Sequence, residues 1–100
     1  MVTKQPKTEM KPYLITYEIK ETATSNYQSL FDEIKLIKPW WHYLSNTWIV
    51  MSQNTASEIY NKLKPHLDSN INIFIVEIGK DRQGWLPQKA WDWIKRHIPK

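Results

Sequence analysis

The chain contains no cysteine, which excludes disulfides, thiol catalysis and thiolate metal sites. Glycine is almost as scarce. Gly79 and Gly84 are the only two, and neither sits in a GxGxxG or GxxxxGKS/T pattern, so a loop cradling phosphates through backbone N–H groups is not expected. No apolar run is long enough to span a membrane and no secretory signal pattern is present, which makes the cytoplasm the expected location. Clustered charge is missing too. The formal charge is +4 and the isoelectric point about 9.3, yet the lysines are scattered along the chain. Such a balance permits a nucleic-acid partner without requiring one.

What is present is apolar and aromatic. With 41% hydrophobic and 13% aromatic residues, the chain can bury one core in a single domain without staples. Residues 1–11 (MVTKQPKTEMK) are polar and aperiodic and read as a flexible leader, leaving 12–100 as the domain. KPYLITYEIK opens on proline and continues through β-branched and aromatic residues, so Tyr13–Ile19 is read as a first strand. Ser25 and Gln28 form a capping box ahead of the helical stripe Tyr27, Leu30, Phe31, Ile34 and Ile37, which Pro39 closes. In KPWWHYLSNTWIVMS (38–52), two β-prone runs flank a Ser45-Asn46 turn and predict a hairpin. Thr55 and Glu58 make a second capping box before Ile59, Tyr60, Leu63 and Leu67, and Pro65 breaks that helix or confines it to an irregular last turn. INIFIVEIG gives a strand over Ile71–Ile78, and Pro87 suits the first turn of a terminal helix bearing Ala90, Trp91, Ile94 and Ile98.

The order β-α-β-β-α-β-α predicts an α+β, ferredoxin-like βαββαβ sandwich: a four-stranded antiparallel sheet, two helices on one face, and an additional C-terminal helix. Strand parity, with Leu44 paired to Thr47, assigns Tyr13, Ile15, Tyr17, Trp41, Tyr43, Trp48, Val50, Phe74, Val76 and Ile78 to the helix-covered face. The opposite face then holds Leu14, Thr16, Glu18, Trp40, His42, Leu44, Ile49, Met51, Ile73, Ile75 and Glu77. That set is too apolar to stay wet. A homodimer through Leu14, Thr16, Trp40, His42, Ile49, Met51, Ile73 and Ile75 is the first expectation; the C-terminal helix acting as a lid within the chain is the second.

YLITYEI, WWHYLSNTWIV, TASEIYNKLKPHLD and the ending GWLPQKAWDWI together resemble a family of small proteins labelled SinR-like, over roughly Lys11 to Ile98. That family is related to the CRISPR-associated "Cas two" proteins and, more distantly, to VapD-type ribonuclease toxins. The resemblance implies a ferredoxin-like homodimer joined through the sheet faces and tied to a defence or toxin-type system. In the CRISPR family an aspartate ending the first strand, one from each chain, is proposed to hold a divalent metal for phosphodiester hydrolysis. Glu18 stands at that position, one methylene longer.

Two functions follow as expectations. The first is a non-catalytic homodimer that binds nucleic acid or a protein, with Lys80, Arg82, Lys89 and Arg96 contacting phosphates while Trp85 and Trp93 stack on bases. The second is an Mg²⁺-dependent endonuclease with Glu18 as metal ligand and His42 as proton carrier. An RNA-recognition motif shares the topology, but Thr47-Trp48-Ile49-Val50-Met51 does not match its third-strand signature.

Overall fold

The computed structural model describes residues 9–21 and 26–99. Strand β1 (Lys11–Ile19) is followed by α1 (Gln28–Lys35), β2 (Trp40–Leu44) and β3 (Thr47–Ser52). Helix α2 (Ala56–Leu63), a single 3-10 turn at Lys64–His66, β4 (Ile71–Glu77) and α3 (Gln88–His97) complete the chain. The four strands form one open antiparallel sheet in the order β2-β3-β1-β4. This is an α+β fold, and its strand order is consistent with the ferredoxin-like expectation.

Local chemistry explains most of the element ends. Thr55 Oγ1 accepts from Glu58 N–H at 3.1 Å while Glu58 Oε1 accepts from Thr55 N–H at 2.8 Å, the reciprocal capping box read from the sequence. Pro65 lacks the donor an α-helix needs, and the chain tightens there into the 3-10 turn. At α1, Ser25 lies outside the described residues. Asn26 Oδ1 instead caps Gln28 N–H at 3.1 Å, and the Gln28 side-chain amide reaches forward to Asp32 at 2.9 Å. Tyr27 is not a helical residue. It sits at the N-cap with φ 56°, a left-handed conformation costly for a bulky side chain. Ring burial and a hydroxyl bond to Asp68 hold it there. Residues 1–8 of the expected leader lie outside the described residues; of the rest, Met10 packs on the second core and Lys11 already belongs to β1.

That Tyr27–Asp68 contact sets a pH prediction. Asp68 Oδ1 accepts from the Tyr27 hydroxyl and from Asn70 N–H at 2.8 Å, and these bonds hold its carboxyl below the ordinary 3.8. The same bond, with burial and the carboxylate's charge, pushes the Tyr27 hydroxyl from 10.0 up to about 12. A depressed acid stabilises the fold above its unfolded value and loses that contribution as pH falls through the folded one. A raised phenol contributes below its unfolded value and is lost as pH rises through the folded one. The melting temperature should therefore be flat between pH 4 and 10 as far as this pair is concerned, and fall at both ends. Asp68→Asn should flatten the acid limb; an unchanged acid slope in the variant would count against the contact.

The sheet is coated on both sides. Against α1 and α2 lies a first core of Tyr13, Ile15, Tyr17, Trp48, Val50, Leu30, Ile34, Ile59 and Leu63. Against α3 lies a second, of Trp41, Ile49, Met51, Ala90, Ile94 and Ile98. Ala90 lets the helix approach closely enough for Trp41 Nε1–H to donate to its carbonyl at 3.2 Å. So the intrachain lid occupies part of the face that parity had offered to a second copy.

Two strands are inverted relative to that parity. In β2, Leu44 pairs with Thr47 as expected, but Trp40 faces Val50 and Trp41 faces Ile49, because a bulge between Trp41 and Leu44 adds one residue. Trp41 therefore turns to α3, and Trp40 packs on Trp48 with ring centroids 5.4 Å apart. In β4, Ile75 faces Ile15 and Ile73 faces Tyr17, so Ile71, Ile73 and Ile75 go beneath α1 and α2 while Phe74 and Val76 point the other way.

Candidate binding surface on the half-covered sheet face

Helix α3 does not span the whole second face. Phe74, Val76 and Leu44 stay 63%, 41% and 47% exposed, and Trp85, in the loop between β4 and α3, is 99% exposed. Between that loop, the sheet and α3 opens a cavity of about 370 Å³. Its walls are apolar: Leu14, Trp41, Ile49, Leu86, Trp91 and Ile94, with Trp85 also on the lining. The loop is anchored by Arg82, which donates to the carbonyls of Gly79 at 2.8 Å and Pro99 at 3.4 Å, tying its start to the end of α3. Arg82 is thus half-buried and already engaged, which makes it a support for Trp85 more than a phosphate contact.

The six residues expected to meet nucleic acid are not one patch. Lys80 and Trp85 lie on the loop, exposed. At 100° per residue, Lys89, Trp93 and Arg96 fall on the flank of α3 opposite Trp91, and Trp91 is the one that lines the cavity. Trp93 is half-buried, packed on the second core and on the ring of His97 at 4.3 Å. Of the six, Trp85 is the fully exposed aromatic.

The two candidates for phosphodiester chemistry are separated. Glu18 is exposed and shares the face of Leu14 and Thr16, whereas His42 stacks flat on Trp48 at 3.7 Å and 12°, on the α1 side. The His42 Nε2 lies 3.2 Å from the Ser45 carbonyl, a local hairpin contact. Glu77 sits opposite Tyr13 and Glu18 opposite Asn72, near opposite ends of the β1–β4 pair. Among the described residues no group of three or more acidic or histidine side chains could hold a metal ion. One carboxylate does not fit a resident Mg²⁺, whose octahedral shell needs several converging oxygens. Thr16, placed on the expected interface, bonds Thr47 Oγ1 at 3.0 Å across the sheet.

The expected interface set is likewise divided. Leu14, Ile49 and Met51 are packed in the α3 core, Ile73 and Ile75 in the α1–α2 core, and Trp40 and His42 against Trp48. Phe74 and Val76, which sequence parity had placed inside, are the exposed residues that parity missed. Asn72 was the available signal, being the polar member of their alternating set.

Fold and surface define an α+β open-sheet domain with one sheet face closed by helices and the other closed only in part. No protein-family model matches the chain. No helix among the described residues is long and apolar enough to cross a membrane.

Proposed function

We propose that this chain is a small, non-catalytic, cytoplasmic binding protein of ferredoxin-like fold that acts as a homodimer and receives single-stranded nucleic acid at Trp85. Membership of the SinR-like family belongs to the same proposal, on the sequence stretches that carry the resemblance. The observation behind the reading is the indole of Trp85, 99% exposed on the rim of an apolar cavity. Leaving so large an apolar ring in water forgoes about 1.5–3 kcal/mol that packing would gain, so an occupant that covers it is favoured. A nucleobase offers the flat face an indole stacks on, and stacking is indifferent to sequence. Lys80 on the loop and the +4 net charge supply attraction to phosphates.

The test is fluorescence anisotropy of a labelled single-stranded oligonucleotide over a salt series. Wild type should bind at low salt and lose affinity as salt rises. Trp85→Ala should weaken binding by about 1–3 kcal/mol, roughly 5- to 150-fold, while moving unfolding stability by no more than about 0.5 kcal/mol. No binding at low salt, or equal affinity in the variant, would remove this reading.

A further inference from the structure

We infer that the homodimer is built edge to edge through β4, the two sheets joining into one of eight strands about a two-fold axis at Phe74. This rests on the homodimer proposed above and assigns it a different surface from the sheet face.

The argument starts from which backbone groups are spent. Lys20 N–H donates to the Asn70 carbonyl at 2.8 Å and Ile78 N–H to that of Pro12 at 2.9 Å. In the β1–β4 register, even-numbered residues of β4 therefore bond to β1, while Ile73, Ile75 and Glu77 direct N–H and C=O away from the sheet. β4 is an outer strand, and no described residue offers these groups a backbone partner. The two edges differ in protection. β2 is short, follows Pro39 and carries a bulge; β4 runs seven residues (INIFIVE) with no proline, no lysine and no bulge. A long, mostly apolar edge without these guards is a template for another strand.

The strand is its own complement. Phe74 is the central residue of Ile71–Glu77, so an antiparallel copy centred there gives all seven residues a partner. Ile73 then meets the partner's Ile75, Asn72 meets the partner's Val76, and Phe74 meets the partner's Phe74. Glu77 is the strand's one charge and falls opposite the partner's Ile71, so no like charges oppose each other. The Phe74 ring, 63% exposed in one chain, gains a cross-strand aromatic contact. Each chain has one such edge, so pairing closes at two copies.

Phe74 stands at a non-hydrogen-bonded position, where facing Cα atoms lie about 4.5 Å apart, within disulfide reach. The chain has no cysteine of its own, so Phe74→Cys should cross-link on mild oxidation, and Trp85→Cys, at a still more exposed position, should not. Light scattering at micromolar concentration should give a dimer for wild type. For Phe74→Arg, with circular dichroism unchanged, it should give a monomer, from like charges opposed at the axis and a dissociation constant raised at least about tenfold. A monomeric wild type overturns both the homodimer and this interface. A dimeric wild type with a dimeric Phe74→Arg, or with Phe74→Cys cross-linking no better than Trp85→Cys, overturns the edge alone.

Discussion

Trp48→Ala is expected to cost about 3–5 kcal/mol of unfolding free energy, read as a lowered urea midpoint at unchanged slope. A domain of this size is stable by only about 5–15 kcal/mol, so the variant should lie near the threshold of folding. The indole is 1% exposed and joins the hairpin to the helices: His42 stacks on it at 3.7 Å, and Trp40 and Phe31 pack at 5.4 and 6.4 Å. Its Nε1–H donates to the Tyr17 hydroxyl at 3.1 Å, a group that burial pushes above its ordinary pKa. Alanine leaves a void and takes away the donor to the Tyr17 hydroxyl, which keeps only its long 3.5 Å bond to the Ser45 carbonyl. Trp48→Phe should recover most of the packing and lose chiefly the hydrogen bond, about 0.5–1.5 kcal/mol. A Trp48→Ala midpoint within about 1 kcal/mol of wild type would mean the first core is not centred on this ring.

Ile94→Asp should act on the other side of the sheet and in another way. Ile94 is 6% exposed among Trp41, Ile49, Met51, Ala90 and Ile98. An unpaired carboxylate there costs several kcal/mol, and the cheaper outcome is for α3 to leave the sheet. Ten residues make a marginal helix alone, so α3 should unfold on release. Hydrogen exchange is expected to lose protection over 88–97 while Ile15 and Val50, in the first core, keep theirs. The uncovered Trp41, Ile49 and Met51 should then raise dye binding and self-association. Simultaneous loss of protection in both regions would show that the two cores unfold as one unit; retained protection over 88–97 would show that Ile94 does not hold the helix.

The same contrast separates what was legible in the chain from what was not. Residue order by itself determined the element sequence, the Ser45-Asn46 turn, the Thr55–Glu58 capping box, the break at Pro65 and the apolar stripe of the last helix. Each depends on neighbours a few positions apart, where a hydroxyl, a carboxylate or a missing N–H acts directly on adjacent backbone. Isolated reading named Trp85 and Trp93 together as the rings open to solvent, and only Trp85 is; Trp93 is half-buried on the second core and against His97.

Facing direction was decided elsewhere. In β4 both alternating sets are mostly apolar, Ile71, Ile73 and Ile75 against Phe74 and Val76, and the one polar hint, Asn72, is offset by Glu77 in the other set, so periodicity ranked them only weakly. Pairing with β1 chose, by setting Ile75 opposite Ile15. In β2 one extra residue between Trp41 and Leu44 reversed the strand beyond it, and nothing in WWHYL marks a bulge. A side-chain period of two makes every facing assignment hostage to a single inserted residue or a one-step slip. Register is fixed by contacts between strands distant in sequence, and it was register that put Trp41 beneath α3, left Phe74 bare on an open edge, and set Glu18 and His42 on opposite faces of the sheet.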